Sequence, residues 1–214
     1  MIKCCIFDLD GVLVDTAKYH YLAWKSVARE LGFDFTETDN ERLKGVSRMA
    51  SLDILLSIGN VELTSEEKLS IADRKNQRYL EYILKMTPDE VLPGVTGFLK
   101  ELKRRHVKIA LGSASKNART ILQQTGIEHF FDAIADGNNV THAKPDPEVF
   151  LTAASLATSV PAESLVFEDA VAGIEAARRA GITSVGVGNP EILKDANYHI
   201  NSFLEQEKLL QLLN

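Results

Sequence analysis

Two aspartates separated by one residue, Asp8 and Asp10 in Phe7-Asp8-Leu9-Asp10-Gly11-Val12, follow an apolar run from Lys3 to Phe7. In an extended chain alternate side chains share a face, so both carboxylates can meet at one site on the carboxyl edge of a sheet, where open parallel sheets bind ligands. Two close carboxylates repel each other unless a cation intervenes. The spacing alone therefore admits a magnesium site, an acid/base pair or both, as well as a strand that merely ends in solvated acids. Three later positions, each at or beyond an apolar run, add parts that phosphoryl transfer needs. Ser113 follows Val107 to Leu111 and Gly112, and its hydroxyl and the neighbouring amides can hold phosphate oxygens; ahead of Ala114-Ser115-Lys116-Asn117 it also fits an ordinary helix N-cap. Lys144, before Pro145, can neutralise both a phosphate and a carboxylate nucleophile, and Glu168-Asp169 ends Leu165-Val166-Phe167 with a second acidic pair suited to a hard cation.

These positions need a scaffold that brings strand ends together. From Val107 onward short apolar runs alternate with amphipathic stretches: Val107 to Leu111, Lys116 to Gln124, Phe131 to Ala135, Pro147 to Ala157, Leu165 to Phe167, Val171 to Ala180, Thr183 to Val187 and a closing helix near Glu205 to Leu213. Such alternation predicts strand and helix units on a parallel sheet, and the compact run from Lys3 to Phe7 reads as a strand of the same sheet, covered on both faces. Between Thr16 and Pro93 apolar positions recur at helical spacing instead, through Trp24, Val27 and Leu31, through Leu52, Leu55 and Leu56, and through Leu69, Tyr79 and Ile83. The expected architecture is an α/β chain with a Rossmann-like parallel-sheet core domain, residues 1–15 and 93–214, and an inserted α-helical cap domain, residues 16–92, with Leu92-Pro93-Gly94 as the return linker. Gly186-Val187-Gly188-Asn189-Pro190 lacks the full dinucleotide fingerprint and reads as a strand exit and turn.

With 214 residues, 45% of them hydrophobic, the chain can bury one good core and a smaller satellite. Its formal net charge of -6 repels polyanions and anionic membranes, so no nucleic-acid or membrane partner is expected and any bound phosphate must be held by locally placed cations. The basic stretch Lys100, Lys103, Arg104, Arg105, His106 reads as the solvated end of a helix, where cations complement the dipole. Cys4 and Cys5, the two cysteines, have neither metal nor disulfide spacing and read as buried thiols. No room for a signal peptide precedes the first apolar run and no segment approaches membrane-spanning length, so a cytoplasmic protein is expected.

In order and spacing, Asp8-Leu9-Asp10-Gly11-Val12, Ser113, Lys144-Pro145 and Glu168-Asp169 resemble the four signature motifs of the haloacid dehalogenase superfamily. The resemblance implies that Asp8 attacks phosphorus to form an aspartyl-phosphate, that Asp10 acts as general acid and base, and that Ser113 and Lys144 assist. It also implies a Mg2+ ion held by the Asp8 carboxylate, the backbone carbonyl of Asp10, and Glu168 with Asp169. The segments Thr16 to Trp24, Leu43-Lys44-Gly45-Val46-Ser47-Arg48, Arg74-Lys75-Asn76 and Ser113 to Asn117 are similar to the sugar phosphomutases of that superfamily.

That similarity implies interconversion of β-D-glucose 1-phosphate and glucose 6-phosphate through β-glucose 1,6-bisphosphate, in a monomer. Arg48, with Ser115, Lys116 and Asn117, is then expected to hold the distal phosphate, and Lys75 to add charge from the cap. Gly45 and Val46 bring cap backbone to the sugar, Trp24 offers it a ring face, and His20 and Lys44 help assemble the site with Thr16 near the hinge. Ala170 departs from the pattern, standing where such enzymes often carry serine. A phosphatase for sugar phosphates built on the same nucleophile is the alternative, and a phospho-receiver module a more distant one, against which Asp10 and the inserted segment stand. His106, His129, His142 and His199 lie outside the matched segments.

Overall fold

The computed structural model describes residues 1–43 and 46–213. Strand β1 (Cys4–Phe7) is followed by four helices, α1 (Ala17–Glu30), α2 (Glu37–Glu41), α3 (Arg48–Gly59) and α4 (Ser65–Ile83). The chain then alternates through α5 (Val95–Arg104), β2 (Lys108–Gly112), α6 (Ala118–Gln124), β3 (Ala133–Ala135), α7 (Glu148–Leu156), β4 (Ser164–Glu168), α8 (Val171–Arg179) and β5 (Thr183–Val187), and ends with β6 (Tyr198–Ile200) and α9 (Gln206–Gln211). The strands form one six-stranded sheet in the order β3-β2-β1-β4-β5-β6, and every pairing is parallel.

β1 is central, and its composition follows from that place. Cys5 and Phe7 join the larger apolar cluster on one face of the sheet, whereas Cys4 and Ile6 join a second cluster on the other. All four residues are completely buried, which explains an unbroken apolar run where a one-sided strand would alternate. On the first face Phe7 stacks on Phe167 at 4.8 Å between ring centroids and meets Phe98 edge-on at 6.2 Å. Both cysteine thiols are pushed up by burial, Cys4 to about 12, and they serve as small apolar side chains.

Helices α1 to α4 build a cluster of their own around Trp24, Val27, Phe35, Leu52, Leu55 and Ile71. The buried stripe of α4 runs through Ile71, Ala72, Lys75, Tyr79 and Ile83. Leu69, expected in that stripe, lies two positions ahead of Ile71, on another face of the helix, and is 58% exposed. Helices α2 and α4 each begin with a reciprocal cap, Thr36 with Asp39 and Thr64 with Glu67. The two connections between this helical segment and the sheet run side by side: Leu92 N donates to Leu13 O at 2.9 Å, Asp15 N to Glu90 O at 3.3 Å, and Val14 bridges Val91 in antiparallel sense. Edge strand β6 lies outside the expected pattern. Among the described residues no helix is long and apolar enough to cross a membrane.

Candidate active site

The motif residues meet at the carboxyl edge because the parallel register leaves β1, β2 and β4 ending together. Phe7 sits opposite Leu111 and Phe167, and the chain after β1 stays tied to β4 through Asp8 N, which donates to Phe167 O at 3.0 Å. A tight turn follows, closed by Gly11 N to Val14 O at 2.9 Å. Gly11 has φ +78°, and a Cβ there would lie 2.1 Å from Asp169 Oδ2. Only glycine lets the turn pass this close to the second acidic pair. Gly173 on α8 serves Glu168 in the same way, since a Cβ would lie 1.9 Å from its Oε1.

Lys144 Nζ donates to Asp8 Oδ1 at 2.6 Å and to Glu168 Oε1 at 2.5 Å, with all three side chains buried. Burial works against the Lys144 charge, but Asp8 and Glu168 outweigh it and raise its pKa. Burial likewise raises the pKa of Glu168, against the pull of Lys144. Ala170 N donates to Glu168 Oε2 at 2.8 Å, so the missing serine hydroxyl leaves this hold intact. Ligand oxygens of Asp8, Glu168 and Asp169 lie within 4.8 Å of one another. This all-oxygen donor set fits a hard divalent cation.

Asp10 is not in that carboxylate cluster; its side chain accepts a short hydrogen bond from Thr16 Oγ1, and its Oδ2 lies 3.9 Å from His20 Nε2. The resemblance assigns its backbone carbonyl, rather than this side chain, to the metal. Burial, ahead of the nearby Asp8 charge, raises Asp10 to about 6 from the ordinary 3.8, although 31% of the side chain still meets solvent. Because the folded value exceeds the unfolded one, the ionised carboxylate opposes folding above pH 6 and ceases to do so below 3.8. Replacing Asp10 with Asn is therefore expected to stabilise the metal-free protein at pH 7.5 by about 1 to 2 kcal/mol, the full shift of about 3 being reduced by solvent screening. Near pH 4 the gain should vanish, and urea titrations at both pH values measure the difference.

Ser113 is buried and is not the helix N-cap; that position falls to Asn117. Ser113 Oγ accepts from Ser115 N at 3.1 Å and Ser115 Oγ from Asn117 N at 3.2 Å, a pair of serine turns that folds this loop against the sheet edge. Lys116 is exposed at the same loop, its carbonyl accepting from Asn138 Nδ2 at 2.9 Å.

The cap residues divide into two groups. Lys75 Nζ lies 3.0 Å from His20 Nδ1 and sits over the rings of Trp24 and Tyr79 at 4.8 and 4.6 Å. It is 3% exposed, and burial followed by the Arg48 charge lowers it to about 7. Burial, then the Lys75 charge, holds His20 well below its ordinary range, which keeps the imidazole neutral. Trp24, expected to offer a ring face to a sugar, is 1% exposed and its face is taken by Lys75; an aromatic at helical spacing here belongs to the cap interior. The second group joins cap to core. Arg48 Nη2 and Asn117 Nδ2 both donate to Asn76 Oδ1, at 2.8 and 2.9 Å. Asn76 carries this bridge, and its motif was visible beside Lys75 although no partner could be read from sequence. Val46 is half-buried, and Lys44 and Gly45 lie outside the described residues.

A family model described as hydrolase, haloacid dehalogenase-like hydrolase, matches residues 2–181. A β-phosphoglucomutase of Bacillus subtilis is 44% identical over 198 residues, 92% of this chain and 88% of that protein. A phosphorylated carbohydrates phosphatase of Thermotoga maritima is 31% identical over 186 residues, 86% of this chain and 84% of its own. The crystal structure of β-phosphoglucomutase from Clostridium difficile superposes with a TM-score of 0.95 at 44% identity, covering 100% of this chain and 98% of that one. With the motif residues gathered at one sheet edge and these relatives matched over nearly its whole length, the chain belongs to the haloacid dehalogenase-like hydrolase family, beside the β-phosphoglucomutases.

Proposed function

We propose that this chain is a Mg2+-dependent β-phosphoglucomutase, which interconverts β-D-glucose 1-phosphate and β-D-glucose 6-phosphate through β-glucose 1,6-bisphosphate. The observation that carries the reading is the bridge from Arg48 through Asn76 to Asn117. It joins a cap guanidinium to an amide of the Ser113 loop on one acceptor, which supports a second phosphate site of the kind an enzyme that keeps a bisphosphate between two transfers needs. The relatives that match most of the chain at 44% identity support the same reaction.

Asp8 is the nucleophile and carries the phosphoryl group, with Lys144 holding its carboxylate in place and screening the approaching anion. Asp8, Glu168, Asp169 and the Asp10 carbonyl would hold the Mg2+ ion, which when bound would supply positive charge to offset that of the transferring phosphoryl group. Asp10 leaves Thr16 to give a proton to the departing oxygen and to take one from the accepting hydroxyl. Ser113 and the amides of its loop hold phosphoryl oxygens, while Arg48, Ser115, Lys116 and Asn117 hold the distal phosphate. His20 and Lys75 tie the first cap helix to α4 above Asp10, and Thr16 stands at the hinge, so closure and proton transfer are linked through neighbouring residues.

Replacing Asn76 with Ala should leave Arg48 and Asn117 without their shared acceptor. KM for the sugar phosphate is then expected to rise about tenfold with magnesium affinity unchanged, as steady-state kinetics and metal titration would show. The function itself is tested by product partition. Given Mg2+, β-glucose 1-phosphate and a trace of the bisphosphate, the protein should yield glucose 6-phosphate far in excess of free phosphate. Mainly free phosphate would identify a phosphatase.

A further inference from the structure

The loop from Ser113 to Asn117 is supported by the turn that leaves β3, residues 136–139. Ser113 itself is pinned by the sheet, its N donating to Ala135 O at 3.0 Å. Beyond Ser113 the loop has left the ladder, and two donors from the turn take over. Gly137 N donates to Ser115 O at 3.3 Å and Asn138 Nδ2 to Lys116 O at 2.9 Å. The approach is close, since a Cβ on Gly137 would lie 2.5 Å from Ala114 O and 3.0 Å from Lys116 Cγ. Because peptides are planar and trans, holding these two carbonyls turns the Lys116 and Asn117 amide hydrogens to the opposite side, away from the turn. The Asn117 amide there meets Ser115 Oγ at 3.2 Å.

The turn is braced in its own right. Asp136, 2% exposed, accepts from Asn138 N on Oδ1 at 2.9 Å, and its own N donates to Asn139 Oδ1 at 2.8 Å. Asn139 Nδ2 donates to Ile134 O at 3.0 Å, so the turn is fastened to β3. Asn138 is exposed, where one amide to carbonyl bond adds little to stability. Its effect is on direction: it fixes how the loop faces.

We propose that Gly137 and Asn138 are positioning residues for the distal phosphate, fixing the two loop peptides so that Ser115, Lys116 and Asn117 present their donors together. Ser113, held by the ladder between β2 and β3, is independent of them. The inference rests on the phosphomutase reading. With a phosphoryl group already on Asp8, the phosphate of an incoming sugar phosphate must occupy a second site, and that site is the one the turn supports.

The test uses Asn138→Ala and Gly137→Ala in two half-reactions. Acetyl phosphate brings a single phosphoryl group to Asp8 and has no distal phosphate, so its rate should match that of the unaltered protein. The phosphoenzyme is then mixed with rising β-glucose 1-phosphate. For Asn138→Ala the half-saturating concentration should rise roughly three- to tenfold, the worth of one hydrogen bond, with the limiting rate unchanged. For Gly137→Ala it should rise at least as much, because the methyl group must displace Ala114 O. Discharge of the phosphoenzyme to water and the melting temperature of Asn138→Ala should both hold.

An unchanged half-saturating concentration in either variant, equal slowing of the acetyl phosphate and sugar phosphate steps, or a lowered melting temperature of Asn138→Ala would each overturn the inference while leaving the phosphomutase reading in place. Should the unaltered phosphoenzyme discharge to water at the same rate with and without sugar phosphate, that reading falls and the inference falls with it, an outcome visible before any variant is made.

Discussion

Asp8→Asn is expected to abolish the phosphoenzyme and to lower turnover by on the order of ten thousandfold or more, because the amide is no nucleophile and the Glu168 and Asp10 carboxylates are engaged elsewhere. Glu168 is held by Lys144 and by the Ala170 amide, and Asp10 is turned toward Thr16. The substitution preserves shape and leaves Lys144 paired with Glu168, so the fold should survive with a small change in stability. Acid-quenched mixtures with labelled bisphosphate measure the effect: label should be retained by the unaltered protein and not by the variant. Retention by Asp8→Asn would transfer the nucleophile role to another residue.

Lys144→Met should have the largest effect on stability. The lysine is the shared partner of two buried carboxylates, and its loss leaves Asp8 and Glu168 facing each other with no cation between them. Breaking a buried pair in this way costs about 3 to 5 kcal/mol. The sign with pH follows from Glu168, whose pKa is already raised by burial and rises further once Lys144 is gone. A carboxyl with a raised folded-state pKa opposes folding when ionised, so the deficit should be greatest above neutrality and shrink as the pH falls toward 5. Added Mg2+ should recover part of it. Urea denaturation at pH 5 and pH 8, with and without the ion, checks each statement; equal stability of variant and unaltered protein at pH 8 would contradict them. Turnover should fall by on the order of a thousandfold or more, since the nucleophile loses both its orientation and its screening.

Much of this arrangement was legible in the sequence because a parallel sheet writes its topology into runs of apolar residues. Four buried residues of β1 and the acids that follow them announce a strand end, and the runs before Ser113 and Glu168 announce the others. Register then brings those ends together without further information. What could not be read depends on contacts between distant residues. Trp24 follows a helical apolar spacing whether its ring faces a ligand or, as here, a buried lysine. Asn76 acquires its meaning only from Arg48 and Asn117, residues 28 and 41 positions away. Tyr79 was counted as an apolar helix position, which its ring fulfils while its hydroxyl stays hidden from any periodicity. Strand β6 is three residues long, and its exposed Tyr198 and half-buried His199 leave too little pattern to mark it.

The helical insertion matters because aspartyl-phosphate chemistry is open to water. In the proposed reaction, closing the cleft would keep water from the phosphoenzyme and add donors for a second phosphate, tasks proposed here for Arg48, Asn76 and Asn117, whose contacts cross from α3 and α4 to the Ser113 loop. The most direct test of this account is a single turnover. Protein labelled on Asp8 is mixed with excess unlabelled β-glucose 1-phosphate and Mg2+, quenched at intervals, and the label followed. The account predicts that label leaves Asp8 for the sugar and appears first in the bisphosphate and then in glucose phosphate. Label released directly as inorganic phosphate, or retained on the protein while glucose 6-phosphate forms, would contradict it.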